Sequence, residues 1–276
     1  MGDERDYVLG TEAEEIERLG LQHRVWREHM LEGWRRAGIR EGLTALDVGA
    51  GPGYASADLA ALVGPRGRVI ALERSGRFLA VAAESARIAG LGNVETREHD
   101  VSAEPFGAGF ADFAWCRWVL SFVAEPSRAV AHIAAALKPG GTALFHEYAD
   151  YGAWRTIPPE PDVERFRSLV MRSWRDAGGE PDVALQLPTW LARAGLEIVS
   201  ARPLVEIARR GEPFWQWPAA FLATNARRLA ELGYVSGEEA DKLAGALGRA
   251  APGAMMMTPI VAEVIARKAS GAEGPA

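Results

Sequence analysis

The stretch "LDVGAGPGYASADLA", residues 46–60, constrains the fold more than any other part of the chain. An apolar run ends on an acid, Asp47, and glycines follow at alternate positions, Gly49, Gly51 and Gly53, before an alanine-rich helical pattern begins. A strand that passes through glycines into a helix is half of a βα unit, and repeated units build a parallel sheet. The loop between such a strand and its helix lies at the carboxyl edge of the sheet, where open α/β folds bind ligands. Glycine there reaches left-handed backbone angles and lets a ligand lie against the main chain without meeting a Cβ.

The same rhythm continues from residue 43 to residue 148. Strand-like runs "LTALDVG", "GRVIALE", "GNVETREHD", "FADFAWC" and "GTALFHEY" alternate with helical stretches "YASADLAALVG", "GRFLAVAAESARIAG" and "PSRAVAHIAAALKPGG". Five strands alternating with helices imply a parallel sheet covered on both faces. Upstream, Thr11 and Glu14 form the pattern of a capping box, so a helix should start near residue 12, with Gly20 interrupting it. Beyond the break, Trp26, Met30 and Trp34 recur every four residues and make one apolar stripe. Downstream, one helix is expected around "DVERFRSLVMRSWRDAG", another at "PTWLARAG" and a strand at "LEIVSARPLVEIA". Residues 213–250 look helical, and "PIVAEVIARK" suits either a final strand or a final helix. This divides the chain into an N-terminal helical cover (1–40), a core (41–150), the rest of the sheet with helical lid insertions (151–268) and a flexible tail (269–276).

Bulk properties narrow the partners. The 276 residues fit one large domain or a core with insertions. The net charge of −6 comes with no long basic run, which argues against nucleic acid as a partner. Cys116 is the only cysteine, so no internal disulfide can form and a reducing compartment fits. The opening "MGDERDYVLG" lacks the apolar centre of a signal peptide, and no apolar run reaches membrane-spanning length. A cytoplasmic protein without membrane attachment is expected. The histidines show no metal-ligand spacing, so no metal is expected.

Two cofactor classes use a glycine loop of this kind, dinucleotides and S-adenosylmethionine, and the spacing separates them. The dinucleotide fingerprint G-x-G-x-x-G would place its third glycine at position 54, which is Tyr54. The loop instead reads D-x-G-x-G-x-G. With this loop, Glu73 ending "VIALE", Asp100 in "REHDVS" and "LKPGG" at 137–141, the chain resembles the class I S-adenosylmethionine-dependent methyltransferases. The resemblance runs from Leu46 to Tyr148. It implies a Rossmann-like, mostly parallel seven-stranded sheet with helices on both faces, N-terminal helices and a helical lid. It also implies a cofactor site built from Asp47, Gly49, Ala50, Gly51 and Gly53 for the methionine part. Glu73 with Arg74 would meet the ribose, and Asp100 with Val101 the adenine. Main-chain contacts are expected from Cys116 and Arg117, and Gln22 is a candidate polar contact from the N-terminal segment. The segment "YVLG" resembles a bacterial small-molecule branch of this family.

The acceptor end is less determined. Strand four ends in "WCRWVL", without the Asn/Asp-Pro-Pro signature of amino-methylating nucleic-acid enzymes. Cys116 is preceded by Trp115 rather than the proline of cytosine-C5 methylases, and a lone cysteine is ordinarily an apolar filler. Strand five ends in "FHEYADY", where alternation puts His146 and Tyr148 on one face and Glu147 on the other. His146 is the candidate general base because imidazole titrates near neutrality; a structural histidine is the competing reading. Trp118, Tyr148, Trp215 and Trp217 are candidate walls of an acceptor pocket, and Met255 to Met257 either line it or pack the core. The expected activity is methyl transfer to a small apolar or aromatic acceptor. A non-catalytic S-adenosylmethionine-binding module or partner subunit is the alternative. A cavity facing Gly51 beneath residues 1–40 and 213–250 would favour the enzyme. Oligomeric state is not encoded in any feature of the sequence.

Overall fold

The computed structural model describes residues 10–270. Expectations for most of "YVLG" and for the tail beyond residue 270 lie outside the described residues. The first helix, α1 (Ala13–Ala37), runs unbroken. The capping box does not form: Glu12 holds the N-cap position with no side-chain cap bond, and the Thr11 carbonyl accepts from Arg77 at 3.3 Å. Gly20 causes no break either. A Cβ at Gly20 would stand 3.0 Å from the Tyr54 hydroxyl, and that hydroxyl donates to the Ile16 carbonyl at 3.1 Å. Tertiary packing, not helix propensity, fixes that glycine.

The alternating region then builds β1 (Thr44–Val48), α2 (Tyr54–Val63), β2 (Arg68–Glu73), α3 (Gly76–Ile88), β3 (Val94–Glu98), β4 (Ala111–Arg117), α4 (Pro126–Ala136) and β5 (Leu137–Asp150). "LKPGG" is not a turn ahead of β5 but its first residues, where the pairing with β4 shifts register before resuming at Phe113 and Thr142. Next come β6 (Arg155–Ile157), α5 (Pro161–Asp176), α6 (Leu187–Arg193), β7 (Leu196–Leu204), β8 (Ile207–Arg209), α7 (Pro213–Glu231), α8 (Gly237–Ala244), α9 (Ala246–Arg249), β9 (Met255–Met257) and β10 (Ile260–Lys268).

Seven strands form one sheet in the order β3-β2-β1-β4-β5-β10-β7. Neighbours from β3 to β5 are parallel, and β10 runs antiparallel to both β5 and β7. The sheet is therefore mostly parallel, and "PIVAEVIARK" is a strand. Alternation sends Phe113 and Trp115 of β4 to one face, with Met30, Trp34 and the apolar side of α2. Ala114 and Cys116 go to the other face, with α4 and α6. Both faces are covered by helices, as parallel strands require.

A third apolar cluster lies above the carboxyl edge and joins Trp26 of α1 to α5, α7 and α8. Beside it sits a second sheet, β6-β9-β8, in which both pairings are antiparallel. "LEIVSARPLVEIA" is consequently two strands in two sheets, not one. Met256 is fully buried in this cover, where its sulfur accepts the Trp154 indole N–H at 3.0 Å.

Candidate active site

Gly49, Gly51 and Gly53 all adopt left-handed angles, at φ of 69°, 54° and 82°. The turn they make carries the chain from the buried end of β1 over the sheet edge. At Gly51 a Cβ would project into open space, whereas at Gly49 it would strike Val119 at 2.4 Å. The Gly51 N–H donates to Glu73 Oε2 at 2.9 Å, and Glu73 Oε1 accepts from the N–H groups of Arg74 and Ser75, each at 2.9 Å. Glu73 thus ties the first glycine loop to the end of the second strand. Burial pushes its carboxyl up, against these three backbone donors. Asp100 Oδ1 accepts from the backbone and hydroxyl of Ser102, both at 2.9 Å. Burial works to raise the Asp100 carboxyl, but these bonds outweigh it and hold it below the usual range.

A cavity starts at these acids and runs beneath α1 and α7 to an aromatic end. Asp47, Gly49, Ala50, Gly51, Glu73, Arg74, Asp100 and Val101 line its first part, together with Gln22, and Arg117 stands beyond them. Trp118, Tyr148 and Trp217 line the far part. Asp47 is 2% exposed and accepts from the Ser56 hydroxyl at 2.6 Å, and burial lifts its carboxyl to about 6.

Trp118 is the one non-glycine residue at positive φ, 52°, among the described residues. Such a backbone in an aromatic residue needs external support. Its own N–H donates to the His146 carbonyl at 2.9 Å. The next two, Val119 and Leu120, donate to Glu147 Oε1 at 2.9 and 3.0 Å. So Glu147, on the opposite face from Tyr148, anchors the turn that presents Trp118. Trp118 stacks with Tyr148 (5.5 Å, 17°) and with Trp217 (5.6 Å, 15°). The Trp217 indole donates to Gln22 Oε1 at 2.9 Å, and Arg18 donates to the same oxygen at 3.0 Å. This clasp holds α7 to α1 across the top of the cavity.

Four sequence-predicted residues stand outside it. His146 is fully buried behind Trp115, with Nε2 against Glu263 at 2.9 Å. Burial drives its pKa well below the ordinary value. An imidazole sealed under the sheet edge has no path to a substrate proton, so the candidate base is a structural histidine. Cys116 points away toward Glu147, 3.7 Å off, and burial raises its thiol. Gly53 faces Ala82 rather than the cavity: a Cβ there would lie 2.7 Å from the alanine Cβ. Trp215 is buried in the cover, as is Met256, while Met255 and Met257 are half-buried, and none of these lines the cavity.

Other lining residues were not singled out from sequence. Arg18 and His23 come from the middle of a helix whose charge pattern reads as a solvated face. Trp154, Trp174 and Phe122 are brought in by β6, α5 and the loop after β4, which carry no motif. Phe221 from α7 and Tyr151, the last residue of "FHEYADY", also line the aromatic end.

Residues 46–145 match the family model of a methyltransferase domain. The chain is similar to a 37.1 kDa protein of a Streptomyces fradiae transposon, 29% identical over 197 residues, covering 71% of this chain and 55% of that protein. It is also similar to the ubiquinone/menaquinone biosynthesis C-methyltransferase UbiE of Erwinia tasmaniensis, 32% identical over 128 residues, covering 46% of this chain and 50% of that one. The chain thus spans about half the length of the curated relatives it matches. Among solved structures, a candidate methyltransferase of Bacillus halodurans C-125 shares the fold, with a TM-score of 0.61 and 18% identity over 87% of this chain and 98% of that one.

Proposed function

We propose that this chain, which carries a class I methyltransferase domain over residues 46–145, transfers the methyl group of S-adenosylmethionine to a small, flat, largely apolar acceptor. One observation carries this reading. A single cavity joins the glycine loop, Glu73 and Asp100 to stacked aromatic walls, beneath helices from both ends of the sequence. A domain that only bound the cofactor would have no use for the second half of that cavity.

The residues of the first half fit the cofactor. The open space above Gly51 takes a ligand against bare main chain. Glu73 Oε2 keeps a lone pair for a ribose hydroxyl beyond its one backbone donor, while Oε1 is filled by Arg74 and Ser75, and Asp100 keeps Oδ2 for an adenine amine. When bound, the cofactor supplies an electrophilic methyl group on a sulfonium. The chain's contribution is alignment and exclusion of water. Trp118, Tyr148 and Trp217 orient a flat acceptor by stacking on it. With His146 sealed away, orientation does the catalytic work, and an acceptor that reacts without prior deprotonation is favoured.

The test is titration with S-adenosylhomocysteine, followed by a screen of small-molecule pools with isotopically labelled cofactor. One-site binding and labelling of apolar or aromatic compounds are expected. A folded protein that binds no S-adenosylhomocysteine refutes the reading.

A further inference from the structure

Arg117 closes β4 at the junction of the two halves of the cavity, opposite His146 in the neighbouring strand. Its guanidinium lies over Trp115 at 5.6 Å and Trp118 at 5.2 Å, which fixes its plane. It donates to His23 Nδ1 at 3.3 Å and approaches the Met30 sulfur at 3.8 Å. Among the described residues no carboxylate lies within ion-pair distance of it. His23 accepts that bond at Nδ1 and is therefore neutral, its Nε2 faces Asp58 at 3.1 Å, and Asp58 is also held bidentate by Arg27. Arg117 is half-buried, and the acids whose charge reaches it, Asp47 and Asp58, are engaged with Ser56 and with His23 and Arg27, so its own N–H donors meet no carboxylate. The guanidinium has five N–H donors in a fork that matches the two oxygens of a carboxylate. Trp118, Tyr148 and Trp217 beside it offer no acid, so an acidic reactant in the cavity would supply the carboxylate that this fork lacks.

Resting on the methyltransferase reading, we propose that Arg117 is a carboxylate receptor inside the cavity. The reactant that presents that group is the acceptor, an aromatic or flat apolar acid. The stacked walls of Trp118 and Trp217 beside Arg117 suit the acid's ring.

Arg117→Gln and Arg117→Lys test the assignment. Calorimetry would compare S-adenosylhomocysteine with 5′-methylthioadenosine, which lacks the amino-acid end. Saturation-transfer NMR on the S-adenosylhomocysteine-loaded protein would compare 2-naphthoate with 2-naphthamide. If the acceptor brings the carboxylate, wild type prefers the acid about tenfold and Arg117→Gln loses that preference while binding S-adenosylhomocysteine normally. Arg117→Gln that weakens S-adenosylhomocysteine tenfold or more, leaves 5′-methylthioadenosine unchanged and keeps the acid preference would mean that Arg117 serves the cofactor, and overturns the proposal. Arg117→Lys, which keeps the charge but not the fork, should fall between and serves if the glutamine variant folds poorly. Equal S-adenosylhomocysteine affinity in all three proteins, with no acid preference in wild type, overturns the proposal. Wild type that binds no S-adenosylhomocysteine overturns the methyltransferase reading itself.

Discussion

Gly51 and Gly53 sit two residues apart in one loop and answer to different neighbours. An alanine at either must hold a left-handed angle, at a cost of about 1–2 kcal/mol. At Gly51 the new methyl enters open space in the cavity, so Gly51→Ala should weaken S-adenosylhomocysteine tenfold or more while lowering Tm by only a few degrees. At Gly53 it meets Ala82 of α3, so Gly53→Ala should lower Tm further. Paired melting and calorimetry check this, and normal binding by Gly51→Ala would remove the loop from the cofactor site. Glu147 supports a pH prediction. Burial raises its carboxyl from 4.5 to about 7, and Asp47 shifts the same way, from 3.8 to about 6. Each binds more protons folded than unfolded between those values, so stability falls as pH rises through the window. The shift of Glu147 corresponds to a few kcal/mol at most. Tm should therefore decline between about pH 5 and pH 7, and Glu147→Gln should flatten the profile. An unchanged slope in the variant would show that Glu147 is not the titrating group.

At the scale of elements, what could be read in the sequence divides by contact range. Strands β1, β2, β4 and β5 were legible because each is an apolar run closed by its own turn signal, and the polar β3, VETRE, because the alternation with helices requires a strand there. The acids after β2 and β3, Glu73 and Asp100, were legible through the resemblance to the methyltransferase family. The strands β6, β8 and β9 were not: each has three residues, and each finds its partners 50 to 100 residues away rather than in its own periodicity. The same reason hides the clasp between Gln22 and Trp217, separated by 195 residues. His146 misled because strand alternation gives a face but not a depth. Trp217 and Trp215 test the clasp. Both are nearly buried, at 4% and 5% exposed, but only Trp217 touches the cavity. Trp217→Phe keeps an aromatic ring but loses the indole N–H bond to Gln22, at about 0.5–1.5 kcal/mol, together with part of the buried ring. Once the acceptor is identified, its turnover should drop severalfold in Trp217→Phe and stay near wild type per folded molecule in Trp215→Phe. Equal turnover in the two variants would leave α7 a packing element only.

For the whole molecule, the cover and the sheet share one cavity, and binding should couple them. Hydrogen exchange with S-adenosylhomocysteine should protect amides in α1 around Gln22 and in α7 around Trp217 as well as the glycine loop. Protection confined to the loop would mean that the cover is indifferent to the cofactor. Among the described residues no helix is long and apolar enough to cross a membrane. The sheet order has a consequence for biosynthesis. β10 lies between β5 and β7, though both are made before it. Until residues 260–268 leave the ribosome, β5 presents a bare edge and β7 has nothing to pair with, and the buried acid Glu263 has yet to reach His146, 117 positions earlier. The nascent protein can assemble its parallel half early, but it waits for one late strand to close the sheet, and during that wait it is a natural client for chaperones.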